Sequence, residues 1–255
     1  DHTVHVDPDG LEPATEYFCR FIVKSGEFEG ATSPVGRALT APEADASVDN
    51  LNLAIASCAN WESGFFAAYG DMAQRARGGE IDHVVFLGDY IYEYPTGEYA
   101  GKSGVARMHH PEWEITTLED YRQRHGRYRT DLNLQAAHAA CPWIVIWDDH
   151  ETANNSWFEG AENHTDGRVE GEWPERLSAA KQAYFEWLPV RAQSAGEEQL
   201  LYRSFTFGDL AQLTMMDLRT YRDEETTGAN FANDDRTMLG KKQFDWVAQQ
   251  LQEST

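Results

Sequence analysis

The chain has 255 residues, 41% hydrophobic and 12% aromatic, enough for one sizeable core and a small appendage. Its 21 basic against 43 acidic residues give a formal charge of −22, which repels nucleic acid and anionic membranes and argues against a nucleic-acid-binding module. The same charge repels phosphate esters, so an anionic substrate would need local metal cations or arginines; the commoner use of such an acid excess is solubility.

Cys19, Cys58 and Cys141 are odd in number and widely spaced, which gives no disulfide framework, and no paired Cys/His motif suggests structural zinc. No run is long and apolar enough to be a transmembrane segment, and residues 1–10 do not read as a signal peptide.

Residues 1–43 read as all-β. Residues 3–6 alternate as a strand does, and Asp7-Pro8-Asp9-Gly10 is a strong turn signal. A second strand follows, with Tyr17, Cys19 and Phe21 on one face and Phe18, Arg20 and Ile22 on the other. The pattern L-x-P-x-T-x-Y-x-x-R-F over residues 11–21 resembles the last strands of a fibronectin/Ig-like sandwich, whose tyrosine packs at a corner. So few strands cannot bury a sandwich core, so the module is expected to be partial, with Cys19 in its core.

Residues 40–46 form a short polar linker, which sets domain bounds of 1–43 and 44–255. The main domain opens with a strand over 51–57, with Cys58 at its end. An amphipathic helix follows over 64–77, stopped by Gly78-Gly79, and then a β-branched strand over 83–87. This βαβ unit is expected to be right-handed. Residues 95–111 are a glycine-rich excursion. Helices are predicted over 118–129, apart from Gly126, and over 132–140; a wholly apolar strand, WIVIW, then occupies 143–147. Beyond a loop to Gly171 come a helix over 174–187, a hairpin of 201–207 with 210–217, and a helix over 239–251. The fold class is α/β, a β-sheet core flanked by helices.

Three apolar strands each end in residues of metal-ligand type: Cys58, then Asp89 with Tyr92, then Asp148, Asp149 and His150. In a parallel sheet such ends line one edge, so residues distant in sequence converge. Phenolate and carboxylate oxygens favour Fe(III), and amide or carboxylate oxygens suit a harder ion. Taken singly, Cys58 reads as a buried apolar residue, Asp148 and Asp149 as helix caps, and His150 as a core histidine. Their joint occurrence points to a metal site.

The segments GDYIYEY (88–94), Ser57-Cys58, WDDHE (147–151) with Asn154-Asn155, FGDLAQLTMMDLRTYR (207–222) and RTMLGKKQFDWV (236–247) resemble the PhoD-like alkaline phosphatases of the calcineurin-like metallophosphoesterase group. So does the stretch over 118–142. The resemblance runs over nearly the whole chain, and residues 1–43 resemble that family's N-terminal domain. It implies a metallophosphoesterase-like core, Fe(III) and Ca(II) as cofactors with other divalent metals as alternatives, and a secreted, periplasmic or cell-surface setting. Asp89 then resembles the metal-bridging carboxylate, Tyr92 the phenolate ligand to ferric iron, and Cys58 the thiolate ligand. The DDHE segment stands where relatives carry GNHE. That puts Asp149 at the amide ligand's position, with Asn154 as the alternative amide reaching calcium. His150 is a candidate acid for the leaving group. Arg219 and Arg129 are candidates for phosphate contact or for simple ion pairs.

The resemblance also implies a C-terminal segment with further Asp and His ligands. No histidine follows Asp217 in this sequence, so the chain is expected to lack the C-terminal part. The implied reaction is hydrolysis of phosphate mono- and diesters, with clustered cations lowering the pKa of an attacking water. The alternatives are a non-catalytic metal- or partner-binding fragment and, more weakly, a thiol hydrolase built on Cys58.

Overall fold

The computed structural model describes residues 3–191, 193–195, 198–226, 228 and 232–253. In chain order these residues form β1 (Glu16–Cys19), β2 (Gly36–Leu39), β3 (Leu53–Ala56), α1 (Ala67–Arg77), β4 (His83–Phe86), α2 (Leu118–Tyr128), α3 (Leu132–Ala140), β5 (Trp143–Val145), α4 (Trp173–Trp187), β6 (Gln193–Ala195), β7 (Glu198–Leu200), β8 (Arg203–Phe207), β9 (Ala211–Met215) and α5 (Gly240–Glu253). β3, β4 and β5 make a parallel sheet in that order, with Leu53 opposite His83 and Val84 opposite Trp143. β4 lies in the middle and is buried along its whole length, which is what its unbroken apolar run requires. β3 is an edge, and its Ile55 is 68% exposed.

Local chemistry fixes the helices around this sheet. Thr117 and Asp120 form a capping box at the start of α2, and the Asp131 carboxylate caps α3 through the Asn133 and Leu134 amides. Pro174 occupies the first turn of α4. α2 runs unbroken through Gly126, against the sequence expectation. A Cβ there would lie 3.3 Å from the Trp187 ring of α4, so the glycine admits close helix packing where a break was expected. β8 and β9 pair as an antiparallel hairpin, Arg203 opposite Met215, within the expected hairpin of 201–207 with 210–217. The turn at Gly208 and Asp209 also holds the polar linker, because Val48 N–H donates to the Asp209 carboxylate and Asp209 N–H donates to the Ala46 carbonyl.

The N-terminal region departs most from expectation. Residues 3–9 form no strand, and Val4 and Val6 are exposed. β1 and β2 pair as a two-stranded antiparallel ribbon, continued by a bridge between Ile22 and Thr32. Cys19 is exposed, not in a core, and Phe18 and Phe21 are exposed with it. β2 lies half-buried against α3, while β1 lies on the outer side of the ribbon and leaves these side chains to solvent. The Tyr17 hydroxyl accepts from Glu12 N–H at 2.9 Å. The β6–β7 hairpin goes unsignalled in the sequence because its residues carry no apolar alternation.

Candidate metal centre

The parallel ladder brings three strand ends to one place. Beyond β3, Cys58 N–H donates to the Gly88 carbonyl at 3.0 Å and Ala59 N–H to the Asp89 carbonyl at 2.8 Å, which joins the two turns. Cys58 (φ +59°) and Asp89 (φ +58°) both take the left-handed conformation, which non-glycine residues adopt at a cost and which clusters at functional sites. Between them and β5 stands Gly88, at φ +100°; a Cβ there would fall 2.4 Å from Asp148 N. Only glycine lets the end of β5 cross this close.

The side chains converge on Asp89. Its Oδ2 accepts from Cys58 Sγ at 3.3 Å and from the Tyr92 hydroxyl at 3.2 Å, while its Oδ1 is buried with no hydrogen-bond partner. Asp89, Asp149 and His150 are all buried, and one potential ligand atom of each lies within 4.8 Å of the others. His150 stacks on the Tyr92 ring at 4.3 Å between centroids. Two carboxylates this close, one with an unmatched buried oxygen, are a poor structural device and a good cation site.

The electrostatics agree. Burial raises the Asp89 pKa, as do the charges of Asp149 and Asp148, against the pull of His150. Burial likewise raises Tyr92, helped by Asp89 and Cys58, and raises Cys58, again with Asp89 adding to it. Each shift reflects negative charge confined with too little positive charge beside it, and a bound cation would reverse all three. For His150, burial opposes protonation, but the Glu93 hydrogen bond and charge, with Asp149 and Asp89, raise it to about 9.

Two glutamates hold this arrangement. Glu151 accepts backbone N–H groups from Asp89 (3.0 Å), Tyr90 (2.7 Å) and Asp148 (2.9 Å), clamping the ends of β4 and β5 together. Its pKa is pushed up to about 8, by burial and then by the Asp89 charge. Glu93 takes His150 Nδ1 at 2.8 Å on one oxygen and Asn154 N–H at 2.6 Å on the other. Both glutamates lie inside motifs that the sequence singles out, yet sequence reasoning gives neither a role. An acidic residue set between two tyrosines, or just after a histidine, does not announce that it is buried.

The structure thus brings Cys58, Asp89, Tyr92, Asp149 and His150 together. Asp149 Oδ2 accepts Asn155 N–H at 2.6 Å. The Asn154 backbone belongs to the network through Glu93, but its side-chain amide turns to Glu162 at 3.2 Å. Arg219 stands at the rim, its Nε on Asp148 and its Nη2 3.4 Å from Asp149, with Nη1 buried and unpartnered. Asp217 sets it there by accepting the Arg219 and Thr220 amides and Trp147 Nε1. Arg129 is engaged elsewhere, donating to the Trp187 carbonyl at 2.6 Å and lying over the Tyr90 ring.

Known proteins place this geometry. Residues 53–255 match the family model described as PhoD-like phosphatase, and residues 1–42 match that of the PhoD-like phosphatase N-terminal domain. The chain is 43% identical over 263 residues to alkaline phosphatase D of Bacillus subtilis (strain 168), an alignment that covers 100% of this chain and 43% of that protein. It superposes on a solved structure of PhoD with a TM-score of 0.88 at 42% identity, over 99% of this chain and 48% of that one. A purple acid phosphatase, PPD1 from yellow lupin seeds, shares the fold at a TM-score of 0.52 and 12% identity, over 95% of this chain and 34% of the other. The chain therefore spans less than half the length of each of these proteins. With both family models, the 43% identity and the shared α/β architecture in agreement, the chain belongs to the PhoD-like phosphatase family.

Proposed function

We propose that this chain carries a metal-dependent site for hydrolysing phosphate mono- and diesters, as an alkaline phosphatase and phosphodiesterase of the secreted or cell-surface kind. The observation that carries the reading is the buried convergence of Asp89, Asp149 and His150, with the Cys58 thiol and Tyr92 phenol on the Asp89 carboxylate. Cys58, Asp89, Tyr92 and Asp149 would hold Fe(III) and Ca(II), with Asn154 reaching the latter only if its amide leaves Glu162. The cations would supply an activated water and neutralise the phosphoryl oxygens, which a chain of charge −22 needs.

The chain's own residues do the rest. Asp89 presents one oxygen to the thiol and phenol and keeps the other free. With Nδ1 committed to Glu93, His150 has Nε2 free to give a proton to the departing alkoxide. Arg219 offers an unpaired N–H beside the carboxylates for a phosphoryl oxygen. Residues 1–43 are the partial β-module that precedes this domain at residues 44–255.

Elemental analysis, together with phosphate release from an aryl phosphate, tests the reading. Turnover that survives Asp89→Ala and Tyr92→Phe unchanged would refute it. A second reading, a non-catalytic metal- or partner-binding module, is favoured by Arg219, whose guanidinium already pairs with Asp148 and Asp149. Bound metal without turnover would select it.

A further inference from the structure

The loop over residues 95–104 carries one aromatic ring to the metal centre. Tyr99 stacks on Tyr92 at 5.5 Å and on Tyr94 at 5.1 Å between centroids, and lies 5.7 Å from the His150 ring. Tyr92 and Tyr94 are buried, but Tyr99 is 50% exposed, so it is the solvent-facing member of the stack.

This placement is built in. The Glu62 carboxylate is fully buried and accepts Gly97 N–H at 2.8 Å and Tyr99 N–H at 3.0 Å. Asn60 Nδ2 donates to the Tyr99 carbonyl at 3.0 Å. Both anchors follow Cys58 closely in sequence, so the segment that brings the thiol also fixes the ring. A surface tyrosine with no task at the site would not need a buried carboxylate to hold its backbone.

We propose that Tyr99 is a specificity-determining residue: its exposed ring is a stacking platform for the alcohol part of the ester, favouring phosphoesters of uncharged planar aromatic alcohols over those of small aliphatic ones. The proposal rests on the phosphoester reading. A phosphoryl group seated at Asp89, Asp149 and His150 can extend its alcohol over the Tyr99 ring, the exposed member of the Tyr92–Tyr94–Tyr99 stack. Aromatic faces attract planar rings by offset stacking, and the acidic surface disfavours any further negative charge on that alcohol.

The test is calorimetric binding of two inert phosphonates to the metal-loaded chain. Benzylphosphonate replaces the ester oxygen of phenyl phosphate by CH2, and ethylphosphonate does the same for methyl phosphate. Benzylphosphonate is expected to bind about tenfold more tightly than ethylphosphonate. Tyr99→Phe retains that ratio, and Tyr99→Ala lowers it at least about fivefold while ethylphosphonate binding holds. An unchanged ratio in Tyr99→Ala, or an equal loss for both ligands, would overturn the proposal, the latter by showing that Tyr99 only supports the loop. Binding of both phosphonates without preference in the unmodified chain sinks this proposal alone. Binding of neither sinks the phosphoester reading as well.

Discussion

Glu93 holds His150 and Asn154 with its two oxygens, the imidazole Nδ1 at 2.8 Å and the backbone amide at 2.6 Å, so one buried carboxylate sets both the ring and the loop that follows it. Supporting carboxylates of this kind typically change affinity or activity by about 10- to 100-fold when removed. Glu93→Gln keeps the shape but loses the charge that raises His150. It is expected to lower kcat about 10- to 100-fold with little change in KM, and to move the basic limb of the pH–rate profile to lower pH. Steady-state kinetics across pH checks both.

Glu151 has a different task. Its carboxylate is the acceptor for three backbone amides, two of them buried, and Glu151→Ala leaves those donors with nothing to bond. Unmet buried donors cost about 1–3 kcal/mol each. The expected loss is therefore on the order of 3–5 kcal/mol after partial relaxation, read from chemical denaturation of the metal-free chain. Metal content should fall too, because the clamp joins Asp89 to the end of β5.

Three histidines, His109 and His125 buried and His138 half-buried, predict acid sensitivity. Burial lowers His109 and His125 to about 3 and lowers His138 well below its ordinary value, with nearby arginines adding to each shift. The folded chain keeps them neutral, while the unfolded chain protonates them near pH 6.5. Their contribution is thus complete above about pH 6.5 and is lost as pH falls toward 3, by up to about tenfold in the folding equilibrium per pH unit for each histidine. His125 has neither ring nitrogen hydrogen-bonded and lies parallel to the Trp187 ring. His125→Phe should flatten the dependence by about one proton between pH 6 and pH 4, and should be neutral or stabilising at pH 7. Denaturant midpoints against pH decide this.

Tyr92 gives a spectroscopic prediction. If its phenolate binds Fe(III), the metal-loaded chain carries a visible ligand-to-metal charge-transfer band, and Tyr92→Phe abolishes the phenolate part of it while the iron is retained through the other ligands. Visible absorption with parallel iron analysis separates loss of the band from loss of the metal.

Much of the site could be read in the sequence because strand ends are local features. Apolar runs such as WIVIW, and the glycine that breaks the run before Asp89, place Cys58, Asp89 and Asp149 at the ends of β3, β4 and β5. The parallel ladder then brings them together. The supporting carboxylates were not legible, because Glu93, Glu151 and Glu62 act through burial and through backbone amides distant in sequence. Arg219 and Arg129 look alike in sequence, and only tertiary contact puts one beside Asp148 and the other on the Trp187 carbonyl. Alternation misled over residues 3–6 and at Cys19, where the period of a strand is present but Val4, Val6 and Cys19 face solvent. Glycine misled at position 126, where a large ring on α4 decides the matter.

Asp89→Asn tests the central claim most directly, by elemental analysis alongside thermal denaturation of the metal-free chain. The substitution removes a buried charge that burial and Asp149 both disfavour, and it leaves one acceptor oxygen, enough for Cys58 and Tyr92, where the carboxylate offered two. The account predicts at least about a tenfold loss of metal affinity together with an unchanged or higher Tm without metal. Full metal uptake with a lowered Tm would contradict it.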